Sequence, residues 1–168
     1  MLSYTKGPEA PLIESAIAEI FQKTVARCRD NDALVVRHQQ ARFTFAQLAG
    51  EVERVARGLR GLGLREQDRI GVWSTNCAEW VMLHLACARI GAVLVNVNPA
   101  YRAYELQYVL RKSGMKALFL LEKDNRSDYR AILQEALAGQ TLPLEQASEV
   151  LNAMDTFETL GFSVITQF

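Results

Sequence analysis

A chain of 168 residues with 49% hydrophobic content can bury one core, which excludes a wholly disordered polypeptide. Lys plus Arg and Asp plus Glu are equal at 19 each, so no global field favours nucleic acid or an anionic membrane. The three cysteines, Cys28, Cys77 and Cys87, lack C-x-x-C spacing and are odd in number, so reduced thiols in a cytoplasmic protein are expected. The first residues, MLSYTKGPEAPL, hold neither an apolar signal core nor an Arg-rich presequence. Apolar windows around Trp80 to Ala88 and Ala117 to Leu121 are too short, or too interrupted by His84, to predict a membrane span.

After a loop with Pro8 and Pro11, Ile13, Ile17, Ile20, Phe21, Val25 and Cys28 recur at helical spacing, predicting an amphipathic helix to about Arg29. Asp30, Asn31 and Asp32 break it. Ala33 to Arg37 and Arg42 to Thr44 read as strands joined by a turn at His38 to Ala41, a hairpin. Thr44 and Gln47 have the spacing of a capping box, and Leu48, Val52, Val55, Leu59 and Leu62 then share one face of a helix. Gly61 and Gly63 end that helix, and Arg69 to Trp73 follows as a strand.

Thr75 or Asn76 is the expected cap of the next helix, which carries Ala78, Val81, Met82, Leu85 and Ile90 and ends at Gly91. Ala92 to Val97 is almost continuously apolar, the pattern of a strand buried on both faces. Asn98-Pro99 turns the chain into a helix from about Arg102 to Lys112, stopped by Ser113-Gly114. Lys116 to Leu121 is a strand, and Tyr129 to Ala138 a helix. Alternation of this kind requires crossover helices between parallel strands. It predicts an α/β fold, a partial doubly wound sheet with parallel strands and flanking helices. The texture changes after Gly139, which divides the chain into an α/β subdomain, 1–139, and a divergent tail, 140–168. In that tail Leu144 to Met154 reads as a short helix and Gly161 to Phe168 as a strand.

Few residues present a chemical signature. Gly58, Gly61 and Gly63 follow a helix and precede a strand, the reverse of a dinucleotide-binding loop, so a helix-ending turn is expected. Thr75-Asn76 could hold an anion at a helix start, although capping explains them. Asn96 and Asn98 sit where open α/β sheets place ligands, although Asn98 also forms the turn before Pro99. His38 and His84 lack a triad or metal-ligand setting. Arg54, Arg57 and Arg60 form a stripe near Glu51 and Glu53, a solvated face. Trp73, Trp80, Tyr101, Tyr104 and Tyr108 are expected to pack rather than to stack on bases. No catalytic residue and no metal ligand is assigned, and the cofactor-binding residues stay unknown.

Three stretches also carry a resemblance. FTFAQL at Phe43 to Leu48, WSTNCAEW at Trp73 to Trp80, and RIGAVLVNVNPAYR at Arg89 to Arg102, with Glu105-Leu106, occur in this order. Together they resemble the N-terminal part of the adenylate-forming, AMP-binding acyl-CoA synthetases over about residues 2 to 138, and Asn-Pro-Ala-Tyr-Arg is most similar to the fatty-acyl-CoA branch. The resemblance implies a family that joins a carboxylate to AMP and passes the acyl group to coenzyme A, using ATP, Mg and CoA. The matched motifs are mainly framework, and no Thr-Gly or Gly-x-Pro-Lys of a phosphate loop occurs. An amino-terminal piece, inactive and cofactor-free by itself, is therefore expected. A non-catalytic interaction module is the alternative. Self-association or pairing with a larger ligase follows from either.

Overall fold

The computed structural model describes residues 5–138 and the backbone of residues 162–166. Helix α1 spans Ile17–Arg27. It is followed by an antiparallel hairpin of β1, Asp32–Val36, and β2, Ala41–Thr44. The expected turn between them is one 3-10 turn, Arg37–Gln39, closed by Gln40 at φ 51°.

Helix α2 spans Phe45–Gly61 and begins on the expected capping box: Gln47 N–H donates to Thr44 Oγ1 at 3.2 Å, and Thr44 N–H donates to Gln47 Oε1 at 2.8 Å. Each bond satisfies a backbone donor that a helix start leaves free. Leu48, Val52, Val55 and Leu59 are buried along one face, with Ala56 beside them.

β3, Arg69–Trp73, leads to α3, Ala78–Ile90, then to β4, Val93–Val97, α4, Ala103–Ser113, β5, Ala117–Leu121, and α5, Tyr129–Leu137. β3 pairs in parallel with β4 and with β5, as expected from their alternation with helices. β6, Phe162–Thr166, pairs antiparallel with β5, giving the order β4-β3-β5-β6. The expected strand at Gly161 to Phe168 thus appears as β6, whereas the short helix at Leu144 to Met154 and the boundary at residue 139 lie outside the described residues.

The twofold period of the strands sorts their side chains into two clusters. Ile70, Val72, Ala117 and Phe119 face α2 and α3, meeting Leu59, Met82 and Ala86. Trp73, Leu118 and Leu120 face α4 and α5, meeting Leu106, Leu110 and Leu133. Gly71 belongs to the second face, where a Cβ would overlap Met115 Sδ and approach Leu118 Cδ1 to 2.8 Å. Gly91 caps α3 at φ 76°, and a Cβ there would stand 2.9 Å from Glu66 Cγ. Glycine is required there on both counts.

Two expectations are corrected. β4 is not buried on both faces: Val93 is 43% exposed and Asn96 is exposed, because among the described strands β4 pairs only with β3. A continuous apolar run is compatible with a central strand but does not state how many neighbours it has. The cap of α3 is neither Thr75 nor Asn76. The helix begins one residue later, with Cys77 in the cap position, and Ala78 N–H donates to Gln39 Oε1 at 2.8 Å. A side chain from the hairpin turn replaces the local cap.

Val55 is 1% exposed, so Val55→Asp buries an unpaired carboxylate against α3 and should cost several kcal/mol, on the order of 3 or more. The urea midpoint of the purified variant measures this. An unchanged midpoint would show that this face of α2 is not in the core.

Candidate functional site at the carboxyl ends of the parallel strands

β4 and β5 flank β3, and the chain crosses from one side of β3 to the other through α4. Open α/β sheets bind ligands at such a reversal, beyond the carboxyl ends of the strands. Three connections meet there: residues 74–77 after β3, residues 98–102 after β4, and residues 122–128 after β5.

The first two are joined by Trp73, whose buried indole Nε1–H donates to the Asn98 carbonyl at 3.0 Å. Asn98 Oδ1 accepts from Ala100 N–H at 2.9 Å, and its carbonyl also accepts from Tyr101 N–H at 3.0 Å. This is an Asx turn, as expected from Asn before Pro. The residue serves the turn, and Asn96, exposed on the edge strand, does not join it.

The third connection is a network that the sequence reading missed. Asp124 Oδ1 accepts from Arg126 N–H at 2.7 Å and from Ser127 N–H at 2.9 Å, while Tyr129 O–H donates to Asp124 Oδ2 at 2.8 Å. Tyr129 meets Trp73 edge-to-face at 4.8 Å, and Arg102 Nη1–H donates to Ser127 Oγ at 2.8 Å. The run Asp124-Asn125-Arg126-Ser127 is an Asx-turn signature, so the turn was visible in the sequence. Its contact with Trp73 was not.

The electrostatics follow from these bonds. The backbone N–H of Arg126, the Tyr129 hydroxyl and the Ser127 N–H hold the Asp124 carboxyl below its ordinary value of 3.8. Burial, then Asp124, pushes the Tyr129 phenol up to about 12. Burial also pushes the Cys77 thiol to about 11 and the Cys87 thiol to about 12, so both are protonated and weakly nucleophilic at neutral pH.

Other singled-out residues do not converge on this end. At the start of α3 the Ala78 N–H is already used by Gln39, and Glu79 lies in the first turn, where its charge opposes an anion. His84 stacks on Trp80 at 5.5 Å, its Nδ1 buried without a hydrogen-bond partner among the described residues, and His38 sits in the hairpin turn. Arg54 pairs with Glu51 on α2, while Arg57 and Arg60 are exposed near the Arg89–Glu53 pair. Tyr104 and Tyr108 correct the packing expectation: they are 83% and 62% exposed on the outer face of α4. The C-terminal glycines of α2 form a helix-ending turn, with Gly63 at φ 79°.

The described residues do not fit ATP and Mg on their own. Arg69 opens β3 and Arg102 follows β4, so these cations lie at opposite ends of parallel strands. Among the described residues no group of three or more His, Cys, Asp or Glu side chains is placed to hold a metal. The carboxyl end is a braced framework whose polar groups mostly satisfy one another.

Residues 21–162 match the family described as AMP-binding enzyme. The chain belongs to that family. Within it, the medium-chain acyl-CoA ligase ACSF2, mitochondrial, of Mus musculus is 42% identical over 135 residues, covering 80% of this chain and 22% of that protein. Acyl-CoA ligase SID4 of Ajellomyces capsulatus is 38% identical over 162 residues, covering 95% of this chain and 28% of its own length. The chain thus spans about a quarter of the length of these curated relatives. Its matched region is the N-terminal portion of an AMP-binding enzyme. The inhibitor-bound N-terminal domain of FACL13 from Mycobacterium tuberculosis shares the fold, with a TM-score of 0.69 at 22% identity, covering 84% of this chain and 35% of that one.

The Asp124 network generates a pH signature. A carboxylate whose folded pKa lies below its unfolded value stabilises the fold above the unfolded value, and that stability is lost as pH falls through the folded one. Wild type should therefore exceed Asp124→Asn in denaturant midpoint at pH 7, and the gap should close as pH falls below the ordinary carboxyl value of 3.8. A gap independent of pH would show that the charge of Asp124 does not stabilise the turn.

Proposed function

We propose that this chain supplies the amino-terminal α/β layer of an AMP-forming fatty-acid–CoA ligase and does not catalyse acyl adenylation by itself. One observation carries the proposal: homology over 80% of this chain corresponds to only 22% of a curated acyl-CoA ligase. Adenylation requires a bound triphosphate with its charge neutralised and a carboxylate held in line for attack. Weak attraction of ATP by Arg69, Arg102 and Lys112 stabilises ground and transition states alike and yields no rate. In the assembled ligase ATP, Mg and CoA would be held largely by segments beyond those described here. Arg102, whose guanidinium spends one N–H on Ser127, keeps further donors for an outside acceptor.

The three free thiols support a reducing compartment, the cytoplasm or the interior of the organelle for which the ACSF2 relatives are named. No helix among the described residues is long and apolar enough to cross a membrane. A non-catalytic module that keeps the ligase scaffold is the second reading. Exposed Leu12, Ile13 and Ile17 favour it, as surface that asks for a partner.

The purified 168-residue chain should show no fatty-acid-dependent exchange of pyrophosphate into ATP. Exchange that survives removal of contaminating ligase would overturn the proposal and place an active site among residues assigned here to the framework. The mass of the native product separates the two readings: a protein several times longer supports the ligase layer, and one of this length supports the module.

A further inference from the structure

Two adjoining hollows lie in the helical layer formed by α1, α2 and α3. The larger, about 320 Å³, runs between the three helices and is lined mainly by apolar side chains, Phe21, Val25, Val52 and Leu85 among them. The smaller, about 60 Å³, is bounded by Ala56, Arg57 and Arg60 of α2 and by Arg89 and Ile90 of α3. Glu53 and Arg89 line both, so the hollows meet at that ion pair. Helical spacing builds the arrangement: Ala49, Glu53, Ala56 and Arg60 follow one flank of α2, which passes from a small side chain near its start to a cation in its last turn. The last turn of α3 carries Arg89 and leads into β4. The smaller hollow therefore lies toward the amino ends of the strands, away from the carboxyl-end connections.

Three guanidinium groups and one carboxylate line the joined hollows, an excess of two positive charges. Glu53 offsets only Arg89, with which it pairs at 3.3 Å. Arg57 and Arg60 are exposed and have no ion-pair or hydrogen-bond partner among the described residues. A cation in the last turn complements the negative end of a helix, which accounts for Arg60 and Arg89 but not for Arg57, earlier in α2. Like charges at neighbouring helical positions destabilise a helix, and an oxyanion held between them reverses that effect.

An apolar groove that ends in unpaired guanidinium groups is complementary to an amphiphile with an anionic head. The groove is near the lower end of small-ligand pockets, roughly 300–1,000 Å³, so it suits one alkyl chain rather than two. Charge selects the head. A phosphate monoester carries about −1.5 to −2 at neutral pH and offers oxygens that guanidinium forks bind bidentately, whereas a carboxylate neutralises only half of the excess. We propose that the joined hollows bind a single-chain alkyl or acyl phosphate monoester, with its tail along Phe21, Val25, Val52 and Leu85 and its phosphate among Arg57, Arg60 and Arg89. Binding here does not depend on membership in a working ligase.

Isothermal calorimetry of the purified full chain with decyl phosphate, kept below its micelle-forming concentration, tests this. Binding should saturate at one molecule per chain. Decanoate should bind several-fold more weakly, and decanol and inorganic phosphate about tenfold more weakly or less, since the first lacks charge and the second lacks the tail. Arg57→Gln and, independently, Arg60→Gln should weaken binding several-fold while leaving the far-UV spectrum and thermal midpoint unchanged. Glu53→Gln should tighten it, because the one opposing charge is removed. Methyl resonances of Val25 and Leu85 should shift with decyl phosphate and stay in place with inorganic phosphate. Absence of saturable binding, decanoate binding as tightly as decyl phosphate, or affinity indifferent to Arg57→Gln, Arg60→Gln and Glu53→Gln would overturn the proposal. So would binding that leaves the Val25 and Leu85 methyl groups unmoved.

Discussion

β3 is hydrogen-bonded along both edges and packed on both faces, and its burial constrains the rest of the molecule. A backbone taken out of water must find partners for its N–H and C=O groups, and here β4 and β5 supply them in register. Parallel neighbours cannot be joined by a tight turn, so α3 and α4 must cross over the sheet. The faces of β3 then demand apolar cover. Ile70 and Val72 receive it from α2 and α3, while Trp73 receives it from the α4 and α5 layer. Gly71 lets Met115 reach the second face where a side chain would block it.

The same strand organises the polar end of the fold. Trp73 is fully buried and binds the turn after β4 through its indole N–H and the loop after β5 through the ring of Tyr129. Three connections from separate parts of the chain are thereby tied to one aromatic side chain. Because Asp124, Ser127, Tyr129 and Asn98 satisfy one another or the local backbone, these groups are held in fixed positions. Sites built for chemistry usually keep convergent polar groups open to a substrate. Such a braced end suits a layer on which further parts of a ligase are mounted, in keeping with relatives about four times its length.

Helix α1 stands apart from this constraint. It packs beside α2 and α3, with Phe21 against the core they share, but no residue of the helix is fully covered. Elements with few buried apolar contacts open at lower free energy than the core, so hydrogen exchange should be faster in α1 than in β3 or α2.

Much of this architecture was legible along the chain. The capping box at Thr44 and Gln47, the apolar face of α2, the glycine stop at Gly91 and the alternation of strands with helices are local, and local sterics and hydrogen bonding decide them. Motif order extended that reading to the family. What the sequence could not decide were choices between distant groups of equal local merit. Thr75 and Asn76 are good caps, yet α3 is capped by Gln39 because the hairpin carries that amide to the helix start. β4 has the composition of a central strand, but strand order leaves it with one described neighbour. Asp124 announces a turn, whereas its link through Tyr129 to Trp73 exists only because β5 lies beside β3. Local propensity is set by neighbours in the chain, and the pairing of polar groups far apart in sequence is set by which surfaces the core brings together.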